Sequence, residues 1–221
     1  AVGAVISSAL HIAYSLILQA GYERAELGVV YPIARGSGPV LTILFATLLM
    51  GERISPGALL GAFIVIAGIF VVTGNPFRSG SRPLQGMLWG AATGTAFAGY
   101  TLWDGYSVIS LHLDPVRYYA STLLLQSLIL TPGAMRRRNR IPTAVRVDII
   151  PILIIAVCSP LAYILVLTAM QSMPLALVAP LRETSIIVGS LLSYWLFREN
   201  HLARRIAGAV VVLTGIAIIS L

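Results

Sequence analysis

Long apolar stretches separated by short polar gaps run along the whole chain. When the chain is divided at its charges and its Pro/Gly clusters, with about 20 apolar residues required per membrane crossing, the pattern predicts eight helices. They cover residues 1–20, 26–49, 56–73, 85–108, 116–133, 148–169, 175–197 and 203–221. The longest gap, residues 134–147, is too short for a domain outside the membrane. We therefore expect an all-α membrane protein with its functional site among the helices.

The composition points the same way. Apolar residues make up 57% of the chain and charged residues 10%, whereas soluble proteins carry about 25% charged residues. A soluble enzyme does not fit these values. The single cysteine, Cys158, excludes an intramolecular disulfide and a cysteine-cluster metal site. No cofactor is indicated.

The charge of the chain comes from its arginines, because all fifteen basic residues are Arg and the net charge is +7. They lie mostly in the gaps, which is typical of membrane topology and contact with anionic lipid, and does not favour nucleic-acid binding. With alternate loops assigned to opposite sides, eleven arginines fall on one side and two, Arg53 and Arg117, on the other. This count places the 134–147 loop in the cytoplasm and the C-terminus outside.

An internal repeat relates the two ends of the chain. A shift of 147 residues superimposes several identical residues: Arg35 on Arg182, Glu52 on Glu199, Gly61 on Gly208 and Gly68 on Gly215. The first three predicted helices thus match the last three, and the fourth and fifth have no counterpart. We expect about sixty residues, forming two further helices, upstream of the first residue.

The spacing of the repeat also predicts its direction in the membrane. Matched helices lie five crossings apart, and an odd number of crossings reverses the direction of the chain, so the repeats are inverted. Inverted repeats are typical of secondary transporters, in which two antiparallel halves expose a central site to each side in turn. Architecture alone therefore favours transport, although a fold does not define a function.

Two predicted helices carry proline and arginine in corresponding places, Tyr31 to Pro39 and Ala179 to Ser185. Proline removes a helical N–H group and frees backbone carbonyls. An arginine at mid-membrane needs a cavity and a partner. Arg35 and Arg182 are therefore either polar walls of a substrate cavity or structural groups that bond the freed carbonyls.

Glu183 is the only carboxylate that we place in the middle of a helix. One interpretation is a proton carrier that couples solute flux to a proton gradient, and the other is a structural partner for an arginine. A proton carrier predicts that Glu183→Gln alters transport driven by pH.

Aromatic and hydrogen-bonding side chains recur within the helices. His11 and Tyr14 share a helix face, which favours a cavity, and His11 has no second ligand at metal-binding spacing. Trp103, Tyr118 and Trp195 are interpreted as anchors at the membrane surface. The remaining cavity candidates are Tyr31, Trp89, Tyr100 and Tyr163.

Three segments, Tyr31 to Pro39, Gly51 to Arg53 and Gly61 to Gly68, resemble the EamA-type branch of the drug/metabolite transporter superfamily. The second copy, Pro180 to Gly215, resembles it more loosely. The resemblance implies ten helices in two inverted five-helix halves. Residues 1–74 would be the last three helices of the first half, and 84–221 the second half. It also implies cytoplasmic termini, against the arginine count, so the orientation stays open.

The resemblance further implies export or exchange of amino acids, metabolites or drugs. The leading hypothesis is a multi-pass secondary transporter of the bacterial inner membrane, monomeric or homodimeric, that moves a small organic solute by alternating access. One alternative is a membrane-embedded enzyme acting on lipid-linked substrates, which would need clustered acids or histidines. The other is a non-transporting scaffold, for which Arg35→Ala and Arg182→Ala would affect assembly only.

Overall fold

The computed structural model describes residues 2–25, 27–49, 51, 54–73, 83–136, 141–182, 185 and 202–219. These residues are helical and contain no strand. The helices are α1 (Val2–Arg24), α2 (Leu27–Leu49), α3 (Pro56–Thr73), α4 (Pro83–Ile109), α5 (Pro115–Arg136), α6 (Ile141–Met170), α7 (Leu175–Arg182) and α8 (Leu202–Ile219). The all-helical class predicted from the sequence is confirmed, whereas the number of membrane crossings stays a prediction.

Several helices present apolar surface outward. Among the described residues, Val2–Arg24 and Asp148–Met170 are long and apolar enough to cross a membrane. Shorter apolar helices cover Ile33–Leu49, Pro56–Val71 and Ile206–Gly215. In α6 the side chains of Ile150 and Ile155 are 68% and 64% exposed. Such a surface is stable against lipid and costly against water.

The predicted loop 134–147 is shorter in the structure. Helix α5 continues to Arg136, and α6 already begins at Ile141. Backbone hydrogen bonds form a helix without apolar side chains, so hydropathy alone places this boundary poorly. Helix α6 bends at Asp148, which has φ −115° and ψ 27°. The ring of Pro151 explains the bend, because a proline clashes with the helical turn that precedes it.

The chain divides into two compact units. The first comprises Ala1–Ile12 and Trp103–Ser172, and the second Ala13–Leu102 and Met173–Leu221. Helices α1 and α4 therefore contribute residues to both units. In the first unit α5 packs against α6. In the second unit α3 packs against α2, α7 and α8, and α2 also packs against α7.

Glycines bring α3 and α8 into close contact. A Cβ atom on Gly68 would lie 2.6 Å from Cγ2 of Val212, and one on Gly215 would lie 2.7 Å from the carbonyl oxygen of Gly61. Small residues of this kind let membrane helices approach closely. The shift of 147 residues found in the sequence relates one contact to the other, through the pairs Gly68 and Gly215, Gly61 and Gly208, and Val65 and Val212.

Helix α4 approaches α2 in the same way. A Cβ on Gly90 would lie 2.6 Å from Cβ of Ile33, and one on Gly94 would lie 3.0 Å from the backbone nitrogen of Gly38. The second unit is thus assembled around glycine contacts at two helix pairs.

We expect Gly68→Ala to destabilise the protein by about 1–3 kcal/mol, because the new methyl group would overlap Val212 and its backbone. Gly99→Ala is the matched control, since a Cβ at this helical position meets nothing within 4 Å. Unfolding in detergent micelles measures both variants. Equal stability of the two would contradict the close packing of α3 and α8.

Candidate functional site

A completely buried carboxylate lies in the first unit. Asp104, near the C-terminal end of α4, is 0% exposed. Its Oδ1 accepts hydrogen bonds from Oγ of Ser7 at 2.6 Å and from the hydroxyl of Tyr118 at 2.7 Å. Its Oδ2 accepts one from the hydroxyl of Tyr163 at 2.5 Å and lies 2.9 Å from Nε2 of His11. The four contacts come from three other helices.

Local helix geometry explains how this cluster forms. Ser7 and His11 are four residues apart on α1, so they lie on one face, one turn above the other. Tyr118 comes from the first turns of α5 and Tyr163 from the middle of α6. A carboxylate has about four lone-pair positions, and all four are occupied here. Hydrogen bonds to an ionised group are the strong ones, and they offset the cost of taking the charge out of water.

Two tyrosine rings also lie close to the ring of His11. Its ring centroid lies 5.2 Å from that of Tyr163, edge to face, and 6.1 Å from that of Tyr119. The rings of Tyr119 and Tyr163 lie 4.6 Å apart. The imidazole is 13% exposed. It is therefore held in one orientation, with one nitrogen directed at the carboxylate.

The second unit contains a cluster of a different kind, built from an arginine and aromatic rings. The rings of Tyr14 and Tyr100 lie 5.2 Å apart, and those of Phe97 and Tyr100 lie 5.3 Å apart. The Arg182 guanidinium lies 4.8 Å from the centroid of Phe97. Its Nη1 donates to Oγ1 of Thr101 and its Nη2 to the hydroxyl of Tyr100, both at 3.4 Å. Cation–π contact and neutral hydroxyl groups thus surround a positive charge.

Two further arginines of this unit, Arg35 and Arg24, also lie near aromatic rings. The Arg35 guanidinium carbon lies 5.5 Å from the ring centroid of Tyr31. Trp89, another predicted cavity residue, lies under the guanidinium of Arg24 at 5.2 Å. Such contacts stabilise a cation in apolar surroundings at little desolvation cost, since an aromatic face needs no water.

The proline-containing segment lies within one helix. Helix α2 runs from Leu27 to Leu49, in agreement with the predicted helix 26–49, and includes Pro32 and Pro39. The glycines between them are approached by aromatic rings. A Cβ on Gly36 would lie 2.8 Å from Cε2 of Phe70, and one on Gly38 would lie 2.8 Å from Cδ1 of Phe97. In this structure these glycines make room for side chains.

The nine predicted cavity residues are distributed over both units. His11 and Tyr163 meet in the first unit, and Tyr100 meets both Tyr14 and Arg182 in the second. Their role in substrate binding stays a prediction. The second unit also holds Tyr31, Arg35 and Trp89, whereas Glu183 and the predicted anchor Trp195 lie outside the described residues.

One sequence interpretation is wrong. Tyr118 is not a surface anchor, because its side chain is 5% exposed and bonded to Asp104. Asp104, a carboxylate near the C-terminal end of α4, was also passed over in the sequence. A signal for Asp104 was present, since this acid falls inside the predicted helix 85–108. Trp103 is partly buried and donates to the carbonyl oxygen of Gly3 at 3.0 Å.

The described residues thus define a helical protein with an apolar outer surface and polar groups enclosed among its helices. The sequence profile of the EamA-like transporter family matches residues 84–221, more than half of the chain. The chain therefore belongs to the EamA-like transporter family. It is a multi-pass membrane protein, and its family supports a transport role over an enzymatic one.

Two individual proteins extend this comparison. A multidrug transporter of Pseudomonas aeruginosa is 48% identical over 46 residues, which are 21% of this chain and 42% of that relative. The match therefore spans less than half of the relative's length. A crystal structure of a protein whose name states no function superimposes on this chain with a TM-score of 0.75. The two sequences are 17% identical, and the match covers 99% of this chain and 76% of the other. It shares the fold.

Tyr118→Phe should lower the free energy of unfolding by about 1.5–3 kcal/mol, because it removes a hydrogen bond to a buried ionised group. Tyr106→Phe is the matched control, since Tyr106 is an exposed tyrosine of α4 in the same unit. Chemical unfolding of both variants in micelles provides the comparison. If Tyr118→Phe proved as mild as Tyr106→Phe, the bond to Asp104 would contribute little.

Proposed function

We propose that this chain forms part of a secondary transporter that exports or exchanges a small organic solute across the bacterial inner membrane by alternating access. The solute is an amino acid, a metabolite or a drug. Family membership supports the transport role, and the Pseudomonas relative described as a multidrug transporter supports the breadth of solutes.

Inverted repeats in the second unit underlie the proposed mechanism. The glycine contact at Gly68 and the one at Gly215 are equivalent under the repeat, as expected when two copies of one surface pack on each other. Such self-complementary packing supports an arrangement in which the two halves exchange conformations.

The observation that carries the proposal is the cluster around Arg182 in α7. A guanidinium among membrane helices is costly, and a position with a purely structural role avoids that cost with an apolar residue. The aromatic rings of Tyr14, Phe97 and Tyr100 stand beside the charge. We assign these groups to solute binding, the guanidinium for a polar or anionic group and the rings for an apolar one.

The enzymatic alternative receives less support from the first unit. Asp104 is completely buried and its lone pairs are occupied by four neighbouring groups. A general acid or base needs access to its substrate, and a carboxylate held in this way is poorly placed for lipid-linked substrates. Glu183, as a proton carrier or as a partner for an arginine, stays a prediction of the sequence.

Arg182→Ala should reduce solute flux by about tenfold or more, the effect of losing one interaction with an ionised group. Flux is measured by counterflow into proteoliposomes with a panel of radiolabelled amino acids, metabolites and drugs. Arg136→Ala is the matched control, since Arg136 is an exposed arginine at the end of α5. Arg182→Lys tests whether the planar guanidinium is needed in addition to its charge.

The outcomes separate the hypotheses. A folded Arg182→Ala protein with the flux of the unmodified chain would contradict the assigned binding role. Loss of assembly in this variant, with no flux of any solute by the unmodified protein, would favour the scaffold. Variant and control are compared at equal amounts of monodisperse protein, so that a folding defect is not read as a defect of transport.

A further inference from the structure

A cavity of about 400 Å³, lined by both polar and apolar groups, lies in the first unit beside the loop that connects α4 to α5. Its lining includes His112, Asp114, Arg117, Tyr118 and Ser121. A cavity of this size that offers several hydrogen-bonding partners can hold a group of water molecules. His112, Asp114, Arg117 and Ser121 are themselves exposed, so this space communicates with the surroundings of the protein.

The backbone holds the mouth of the cavity in a fixed shape. His112 has a positive φ of 50°, which is uncommon for a residue with a side chain and marks a tight reversal of the chain. Oδ1 of Asp114 accepts a hydrogen bond from the backbone nitrogen of Arg117 at 2.9 Å and caps α5. Pro115 follows as the first residue of the helix, where its missing N–H group costs nothing.

Tyr118 connects this cavity to the buried carboxylate. Its side chain lines the cavity, and its hydroxyl donates to Oδ1 of Asp104 at 2.7 Å. The other carboxylate oxygen, Oδ2, lies 2.9 Å from Nε2 of His11. Tyr118 therefore joins the lining of the cavity to Asp104, whose other carboxylate oxygen lies beside His11.

We propose that the His11–Asp104 pair is a proton-binding site and that the cavity at the α4–α5 loop is its aqueous access route. The inference deepens the transport function proposed above, because it names the coupling ion and the residues that carry it. Among the residues that the structure describes, Tyr118 and Tyr119 of α5 and Tyr163 of α6 lie next to the pair. The charged or titratable groups of the cavity are His112, Asp114 and Arg117.

The transfer step balances without any further reactant. A hydronium ion in the cavity gives a proton to the hydroxyl oxygen of Tyr118 while the hydroxyl proton of Tyr118 moves to Oδ1 of Asp104. The hydronium ion becomes water, and Tyr118 ends as it began. The pair, with a neutral imidazole and a carboxylate, gains one proton and loses its net negative charge. Release follows the same steps in reverse.

Because the pair is buried, a change in its charge affects the packing of the helices around it. A net charge enclosed among membrane helices needs every neighbouring donor in place, whereas a neutral pair needs fewer. Ser7, Tyr118 and Tyr163 donate to Asp104 from α1, α5 and α6. Protonation therefore weakens the contacts that hold these helices on the carboxylate and biases the arrangement of the first unit.

The first test measures proton binding without any solute. The full-length protein in lipid bilayers, labelled with ¹⁵N-histidine and ¹³C-carboxyl aspartate, is titrated by NMR from about pH 5 to about pH 8. We expect the His11 and Asp104 resonances to change together, and the response of His11 to be altered in Asp104→Asn. Asp148→Asn, which alters an exposed carboxyl of α6, should leave it unchanged.

The second test measures water access and does not depend on the folding of Asp104→Asn. In a Cys158→Ala background, Ser121→Cys places a thiol in the cavity and Leu128→Cys places one on an exposed apolar face of α5. A membrane-impermeant thiosulfonate should modify the first at least about tenfold faster, because the reactive thiolate forms in water.

Each result has a defined meaning. Resonances of His11 and Asp104 that do not respond to pH, or equal modification of the two cysteines, would overturn the proposal. If the pair binds protons but solute flux does not change with an imposed pH gradient, the coupling role of the pair is wrong. Absence of flux in the unmodified protein concerns the transport function alone, because both tests are made without solute.

Discussion

The enclosed carboxylate of Asp104 is the interaction on which the first unit depends. Lipid offers no hydrogen-bond donor to a carboxylate, so the protein itself supplies Ser7, His11, Tyr118 and Tyr163. These residues belong to three helices, which must all be in place for the charge to be tolerated. A hydrogen bond to a buried ionised group contributes about 1.5–3 kcal/mol, a large part of the stability of a domain. Asp104 thus ties α1, α5 and α6 to α4 through its hydrogen bonds.

The second unit is stabilised in another way: glycines, which have no side chain, let its helices pack closely. Between α3 and α8 the helix surfaces are so close that a methyl group on Gly68 or Gly215 would overlap the opposite helix. In lipid the hydrophobic effect does not drive apolar helices together, and close van der Waals contact takes its place. In this unit Arg182 lies beside an aromatic ring and donates to hydroxyl groups. The two units thus enclose charges of opposite sign.

The buried polar groups and the family membership both support a transport role. A polar group enclosed in an apolar helix is costly and marks a site of function in membrane proteins. The chain has such groups in α1, α4 and α7, and it belongs to a family of transporters. The proposed proton exchange at Asp104 and the proposed solute recognition at Arg182 are the two activities that a coupled transporter requires.

The sequence by itself determined the helices and the class of protein, because hydropathy, prolines and glycines act locally. It also gave the 147-residue relation that reappears in the glycine contacts. Only the tertiary structure decided which polar groups meet. His11 and Asp104 are 93 residues apart, and Tyr118 near a helix end could equally have faced the membrane surface. In a helix that is apolar all round, periodicity does not distinguish the lipid-facing side from the protein-facing one. The partners of a buried polar group are therefore fixed only when the helices pack.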